Sequence, residues 1–401
     1  MVVRPLRPAV LVPDEQAWTM AGVDVQAAGF EAAATPAAAS VLAGPERIPE
    51  ELASAVGEAW ELICEPRRVE VLGDPFAAGM PLLEALKERH GEHAGMDHDE
   101  HAGMGHDHAG MDHGDMMEIT GEPSRDGLVM EAADVALGPL SPALPTGLVA
   151  ELSLDGDVVA SCRVRATLEA RRDALAPRAW AAATGDLIAG ERIVAVELER
   201  ALSHAAWLRR SAQLLGWPLL ADRAGEAVAA LVAEAPESIA FDAARCALEV
   251  SRRLVESRAF RSRTAGRAVV DAAGARALGL TGPIARASGV PEDARSQDAA
   301  YAGLGFEPVT REAGDAAARA EVRAEEAVAA VDLAQAALGA DLPAARRSTV
   351  EGPRGPIRHG TTPGAAEAVA LAGGLVIGLE WSAALAALAS FDLSPWSVSA
   401  R

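Results

Sequence analysis

Aromatic residues make up only 3% of this 401-residue chain, and tyrosine occurs once. Half of the residues are hydrophobic, so the core must be built from Ala, Val and Leu. Such side chains bury little area each and let helices pack closely. Cysteine is nearly absent. Cys64, Cys162 and Cys246 lie far apart, no pair has metal-ligand spacing, and an odd number makes a poor disulfide framework. A reduced, cytoplasmic compartment is expected. Positive charge is also scarce. The net charge of −22 argues against nucleic-acid binding, which needs clustered Lys and Arg. The N-terminal stretch lacks the apolar run of a signal peptide. The most apolar segment, Ala365 to Phe391, contains Glu367 and Glu380, so buried core elements are expected there rather than a membrane span. No Gly-x-Gly-x-x-Gly follows a strand, so the sequence offers no support of its own for nicotinamide binding.

Three zones emerge: 1–88, 89–118 and 119–401. In the first, short apolar runs (PAVLV, ASVLAG, RRVEVLGD) alternate with one helical stretch, PEELASAVGEAWELI, whose Leu52, Val56, Trp60 and Ile63 keep a 3–4 spacing. A small α/β domain is expected. In the third, LVAELSLDGDVVASCRVRA predicts a strand pair turning at Asp155-Gly156. Ala/Glu/Arg helices are expected over about 187–216, 222–233, 237–257 and 312–338, with Glu and Arg recurring at helical spacing. The fold class is therefore α+β and mostly helical: a bundle with a small β attachment, preceded by the α/β domain.

The middle zone is of low complexity. One hexapeptide occurs three times, as His93-Ala-Gly-Met-Asp-His98, His101-Ala-Gly-Met-Gly-His106 and His108-Ala-Gly-Met-Asp-His113. Seven of the nine histidines lie between His90 and His113, and Met96, Met104 and Met111 sit among them. Imidazole suits Cu and Ni, and thioether is a soft ligand for Cu(I). Glycine in every repeat precludes a rigid cage, so bound metal would order the segment as it binds. A solvated insertion with only incidental metal affinity is the plainer alternative.

Five blocks in order carry a family resemblance: Gly138-Pro-Leu-Ser-Pro with the following hairpin, Ala195–Leu208 around Glu197, Arg200 and His204, Leu278–Arg295 continuing to Tyr301, Arg319, Arg323 and Glu326, Val350-Glu-Gly-Pro-Arg-Gly355, and Ser390-Phe-Asp-Leu-Ser394. Together they resemble the quinone-site (D) subunit of NADH-quinone oxidoreductases and the large subunit of nickel–iron hydrogenases. Segments Ala39–Pro45 and Glu65–Asp74 resemble a piece of the small subunit that pairs with it. The resemblance implies a hydrogenase-large-subunit-like bundle, NAD and quinone chemistry through an assembly, and partner subunits of complex I or hydrogenase type. It also implies peripheral attachment at the inner face of a membrane.

It makes Ser141, Arg286, Asp293 and Arg295 quinone-site-like positions. The sequence departs from the pattern at three points. Ser141 replaces the family's opening histidine, Ser394 and Ser397 replace a Cys-x-x-Cys pair, and the other pair has no counterpart. Hydroxyls are poor ligands for nickel and iron. No nickel–iron centre, no iron–sulfur cluster and no catalysis by this chain alone are expected. The bland reading of Arg286, Asp293, Arg295, Asp315, Arg319 and Arg323 is structural ion pairing, and that of His204 is a satisfied, partly buried histidine. A metal-handling protein built on an old scaffold is the competing function.

Calorimetry with Cu(I) or Ni(II) should show binding that disappears when residues 90–117 are deleted. Undiminished binding by the deletion variant would remove the metal reading.

Overall fold

The computed structural model describes residues 9–11, 15–20, 24, 30–33, 35–72, 80–86, 132–141, 144–167, 176–184, 189–232, 239–343, 349–358 and 363–393. The His/Met segment and Ser394 and Ser397 lie outside them.

Near the N-terminus, β1 (Ala9–Leu11), β2 (Glu31–Ala32), β3 (Val41–Pro45) and β5 (Arg68–Leu72) form a parallel sheet in the order β2-β1-β3-β5. Between β3 and β5 come β4 (Arg47–Ile48) and α2 (Glu50–Leu62), and β4 pairs with β6 (Met80–Pro81). Leu52, Val56 and Ala59 of α2 join Leu42, Ile48 and Leu82 in one apolar cluster. Glu50 and Glu51 stand in its first turn, where the helix dipole favours negative charge. The short helix α1 (Glu15–Met20) packs elsewhere, sending Met20 into the core of the helical bundle.

That bundle is a closed ring of four helices. α4 (Ala189–Leu214) packs on α5 (Pro218–Leu231), α5 on α6 (Phe241–Val255), α6 on α11 (Ala316–Ala337), and α11 back on α4. Alanines 201, 205, 244, 327, 330 and 334 are completely buried at these contacts. Small side chains bring the backbones close, which is how a core with few aromatics fills its volume. The expected helices are all present, with ends set by local chemistry. α5 begins at Pro218, earlier than periodicity indicated, because proline's fixed φ suits a first turn. α11 begins where Asp315 caps it, accepting from the Ala318 N–H at 2.8 Å.

The β attachment has three antiparallel strands, β7 (Ala133–Leu137), β8 (Leu148–Asp155) and β9 (Val158–Ala166). Periodicity indicated only the last two, which turn through Gly156 at φ +62°. α12 (Ala365–Gly374) lies on β9 so tightly that a Cβ on Gly373 would stand 2.8 Å from the Cys162 carbonyl. α13 (Trp381–Phe391) follows, and both helices contribute to one buried cluster with β8 and β9. The apolar C-terminal segment is thus core. Among the described residues no helix is long and apolar enough to cross a membrane. The architecture is α+β and mostly helical.

The remaining elements are α3 (Pro177–Thr184), α7 (Arg258–Thr264), α8 (Ala272–Ala277), α9 (Gly282–Ala287), α10 (Ala299–Gly303) and the hairpin β10 (Thr349–Gly352) and β11 (Gly355–Arg358). Gly282 has φ +64°, and a Cβ there would lie 2.2 Å from the Arg354 carbonyl in the β10–β11 turn. This contact sets α9 against β10. Gly282→Ala should therefore destabilise by more than the roughly 1–2 kcal/mol of left-handed strain alone. A denaturant midpoint unchanged from the parent would show that the contact does not constrain the fold.

Candidate functional site

Helix α4 places Glu197, Arg200 and His204 at spacings of three and four, on one face, and all three are completely buried. That face meets Arg286 from the last turn of α9, Asp293 and Arg295 from the segment after it, Tyr301 from α10, Glu326 from α11 and Glu351 from β10. Six elements thus converge on one charged centre.

Arg286 is its hub. Its Nε donates to Glu326 Oε1 at 2.6 Å, and its Nη1 lies 2.9 Å from Glu351 Oε1 and 3.0 Å from Asp293 Oδ2. Arg295 grips Asp293 with two nitrogens, Nη2 at 2.7 Å and Nε at 3.0 Å, and reaches Glu197 Oε2 at 3.2 Å. The Arg295 guanidinium also lies 4.2 Å above the Phe306 ring. Arg200 donates to Glu197 and to the backbone carbonyls of Glu351 and Gly352. The single tyrosine, Tyr301, donates to Glu197 Oε1 at 2.6 Å. His204 Nε2 meets Glu326 Oε2 at 3.2 Å, while its Nδ1 has no hydrogen-bond partner.

Burial is costly for each of these charges, and the outcome depends on partners. Burial raises the Asp293 carboxyl, but Arg295 and Arg286 outweigh it and hold the group at about 2. Glu326 is likewise held well below the ordinary range against burial, by Arg286 and His204. Glu351 goes the other way, pushed up by burial and by the charge of Asp293. Burial and the Glu197 charge push the Tyr301 hydroxyl far up, so it acts as a donor. Burial brings His204 down to about 4 despite Glu326. Three guanidiniums (Arg200, Arg286, Arg295) thus face four carboxyls (Glu197, Asp293, Glu326, Glu351), one of which has its affinity for a proton raised.

A second charged centre lies one to two turns earlier on α11. Arg319 donates to the Ser390 hydroxyl and to the carbonyls of Ala268 and Gly314, and stacks on Phe391. Arg323 donates to the carbonyls of Ser390 and Phe391. Asp392, at the end of α13, is met by Arg354 at 3.1 Å and Arg210 at 3.2 Å, with Arg323 at 3.9 Å. A small, solvent-open cleft of about 30 Å³ borders this centre.

Residues 231–353 match the family described as the 49 kDa subunit of respiratory-chain NADH dehydrogenase. That match covers 123 of the 401 residues, under a third of the chain, and bears out the resemblance read from the sequence. The matched stretch contains the hub Arg286 with Asp293, Arg295, Tyr301, Glu326 and Glu351, whereas Glu197, Arg200 and His204 come from outside it. The D 2 subunit of the NADH-quinone oxidoreductase of Salinispora arenicola is 39% identical over 92 residues, 22% of this chain and 24% of that protein. The D subunit of the F(420)H(2) dehydrogenase of Methanosarcina mazei is 44% identical over 69 residues, 17% of this chain and 18% of that protein. The aligned stretches therefore span a quarter or less of these relatives. A chain in the structure of a membrane-bound sulfane sulfur reductase, an archaeal respiratory membrane complex, superposes with a TM-score of 0.50 at 18% identity. That superposition covers 66% of this chain and 98% of the other, and shows the shared fold.

Of the residues singled out in the sequence, Arg286, Asp293 and Arg295 meet directly. Ser141 stands apart on the β7–β8 connection, half-buried, its carbonyl accepting from Leu144. The ten His and Met residues of the repeat segment lie outside the described residues. Glu197, Arg200, Tyr301, Glu326 and Glu351 were not singled out as site residues. Their signal lay in the Glu197/Arg200/His204 spacing and in three further polar residues, Tyr301, Glu326 and Glu351, of the ordered blocks. His204 is fully buried rather than partly, and only one of its ring nitrogens is satisfied.

The depressed His204 has a consequence for stability. Unfolded, an imidazole titrates near 6.5. Between that value and about 4 the unfolded chain takes up a proton that the folded chain refuses, so stability falls as pH drops through this window. This group alone should cost about 2 kcal/mol between pH 7 and pH 5. Denaturant titrations of the parent and His204→Gln at both pH values measure it, and an identical pH dependence in the two would contradict the assignment.

Proposed function

We propose that this chain is a structural subunit of a membrane-attached redox assembly and holds no nickel–iron or iron–sulfur centre of its own. The carrying observation is that the family stretch supplies a buried ionic hub whose carboxylates are engaged by guanidiniums, Tyr301 and His204. These groups brace α4, α9, α11 and β10 against each other, which suits a rigid body that other subunits pack upon. Donor chemistry supports the absence of a nickel–iron centre. Four thiolates would be needed, and this chain has three cysteines, with Cys64 and Cys246 exposed and Cys162 in β9.

Several finer statements belong to the same reading. The chain divides into an α/β unit over 1–88, a metal-binding linker over 89–118 and a hydrogenase-large-subunit-like body over 119–401. Its partners are complex I-like or hydrogenase-like subunits, including one of small-subunit type, and they hold it at the inner, cytoplasmic face of the membrane. The quinone-site-like roles of Ser141, Arg286, Asp293 and Arg295 receive little support, since the last three are consumed by ion pairs. Any nicotinamide or quinone chemistry belongs to partners.

The threefold hexapeptide favours a second reading, a cytoplasmic Cu or Ni handler that uses the same body as a carrier. Affinity purification of the full chain from detergent-extracted membranes, with metal analysis of the same sample, separates the two. Co-purification with iron–sulfur-bearing redox subunits is expected. Recovery as a lone soluble chain loaded with Cu or Ni would overturn the subunit reading in favour of the second.

A further inference from the structure

One stretch runs against the charge of the chain. The protein carries a net charge of −22, yet residues 252–276 hold seven arginines against two acids, Glu256 and Asp271. Both acids are already engaged. Glu256 meets Arg252 at 2.7 Å, and Asp271 accepts from the Gly274 N–H at 2.7 Å at the start of α8. Arg261 shares Glu321 with Arg311. Arg253, Arg258, Arg263 and Arg276 are exposed, and among the described residues none of the four meets a carboxylate. Surface arginines elsewhere do: Arg165 pairs with Glu151, Arg223 with Glu226 and Arg245 with Asp332.

These arginines stand on a fixed platform. α7 buries Phe260 and Thr264 and packs on α11 and α13, so Arg258, Arg261 and Arg263 lie on its outer side. The connection from α7 to α8 is tied to the start of α11 by three hydrogen bonds. The Gly266 N–H donates to Asp315 at 2.7 Å, the Val270 N–H to the Gly314 carbonyl at 2.9 Å, and the Ala316 N–H to the Arg267 carbonyl at 3.0 Å. Arg319 adds two bonds to the Ala268 carbonyl from below. Ala268 and Val270 are buried, which leaves Val269 between them 48% exposed. Leu278, just after α8, is 38% exposed. An edge contact of Trp217 with Phe260, 5.7 Å between centroids, sets the start of α5 beside α7, and Leu219 there is 53% exposed. Unpaired guanidiniums and exposed aliphatic side chains therefore share one region of the surface.

We propose that this face binds an anionic lipid bilayer directly, with its guanidiniums on the headgroup phosphates and Val269, Leu278 and Leu219 in the edge of the acyl layer. Guanidinium and phosphate match through forked hydrogen bonds, and each basic residue near an anionic surface adds to the attraction. Aliphatic side chains beside them add burial. A nucleic acid would offer phosphates but no apolar layer for those side chains. An acidic protein would be aligned by charges of both signs, and the acids of this face are already engaged. The membrane attachment proposed above runs through partner subunits. This contact is made by the chain alone, so either can fail without the other.

Flotation of the purified full chain tests it with vesicles of phosphatidylcholine alone and vesicles of equal parts phosphatidylcholine and phosphatidylglycerol. A chain of net charge −22 that lacked such a face would be repelled by the anionic set. At low ionic strength, binding to the anionic set should be at least about tenfold tighter, and it should weaken as salt rises. Arg258→Gln/Arg263→Gln should weaken it by about tenfold or more, whereas Arg165→Gln/Arg223→Gln, with the same change of net charge, should alter it by less than about twofold. Val269→Ser/Leu278→Ser should weaken it by about tenfold and keep the lipid preference. All three variants change surface side chains, so their melting midpoints should stay near that of the parent. The proposal is overturned by no binding to the anionic vesicles, by equal binding to both sets, by equal losses in the two arginine variants, or by no loss in the serine variant. Binding of poly-L-glutamate without binding of anionic vesicles also overturns it and assigns the face to an acidic protein.

Discussion

Everything in the helical body depends on a guanidinium taken out of water. Arg286 is completely buried, and a lone charge there would be prohibitively costly. It is tolerable because Glu326, Asp293 and Glu351 close around it from three different elements. The same requirement therefore fixes the relative placement of α9, α11 and β10. Removing one partner from such a set typically costs ~3–5 kcal/mol, because the remaining charges stay buried without compensation. A network of this kind adds little net stability over an apolar core, yet it penalises every alternative packing of the elements that carry it.

The scarcity of large side chains makes this arrangement possible. Alanine at the contacts of α4, α5, α6 and α11 lets the helices approach closely, and long arginines fill the volume that aromatic residues would otherwise occupy. Arg200, Arg209, Arg286, Arg319 and Arg323 are among the largest fully buried side chains. Their aliphatic stems pack like apolar groups, and their heads stack on the few rings available, as Arg295 does on Phe306 and Arg323 on Trp207.

The two charged centres of α11 put one helix to two uses. Its middle, at Glu326, closes a network of paired acids and bases that leaves Arg286 Nη2 and His204 Nδ1 without a hydrogen bond. One to two turns earlier, Arg319 and Arg323 donate to backbone carbonyls and the Ser390 hydroxyl. The first joins elements through paired charges, and the second ties α11 to the end of α13.

The helices of the bundle, the Asp155-Gly156 turn and the α/β character of the N-terminal segment were legible in the sequence, because periodicity and turn chemistry are local. The family resemblance was legible too, through ordered blocks around Gly138, Arg286 and Glu351. The ionic hub was legible only in part. Arg286, Asp293 and Arg295 stood out, whereas Glu197 and Glu351 are 154 positions apart in a chain whose packing alone joins them through Arg200. Sequence by itself determined which residues are charged, which stretches are helical and that the 401 residues contain three cysteines. Tertiary structure decided which charges neutralise one another. The physical reason is that electrostatic balance in a core depends on distances of a few ångströms between elements far apart in the chain, and local propensity carries no information about them.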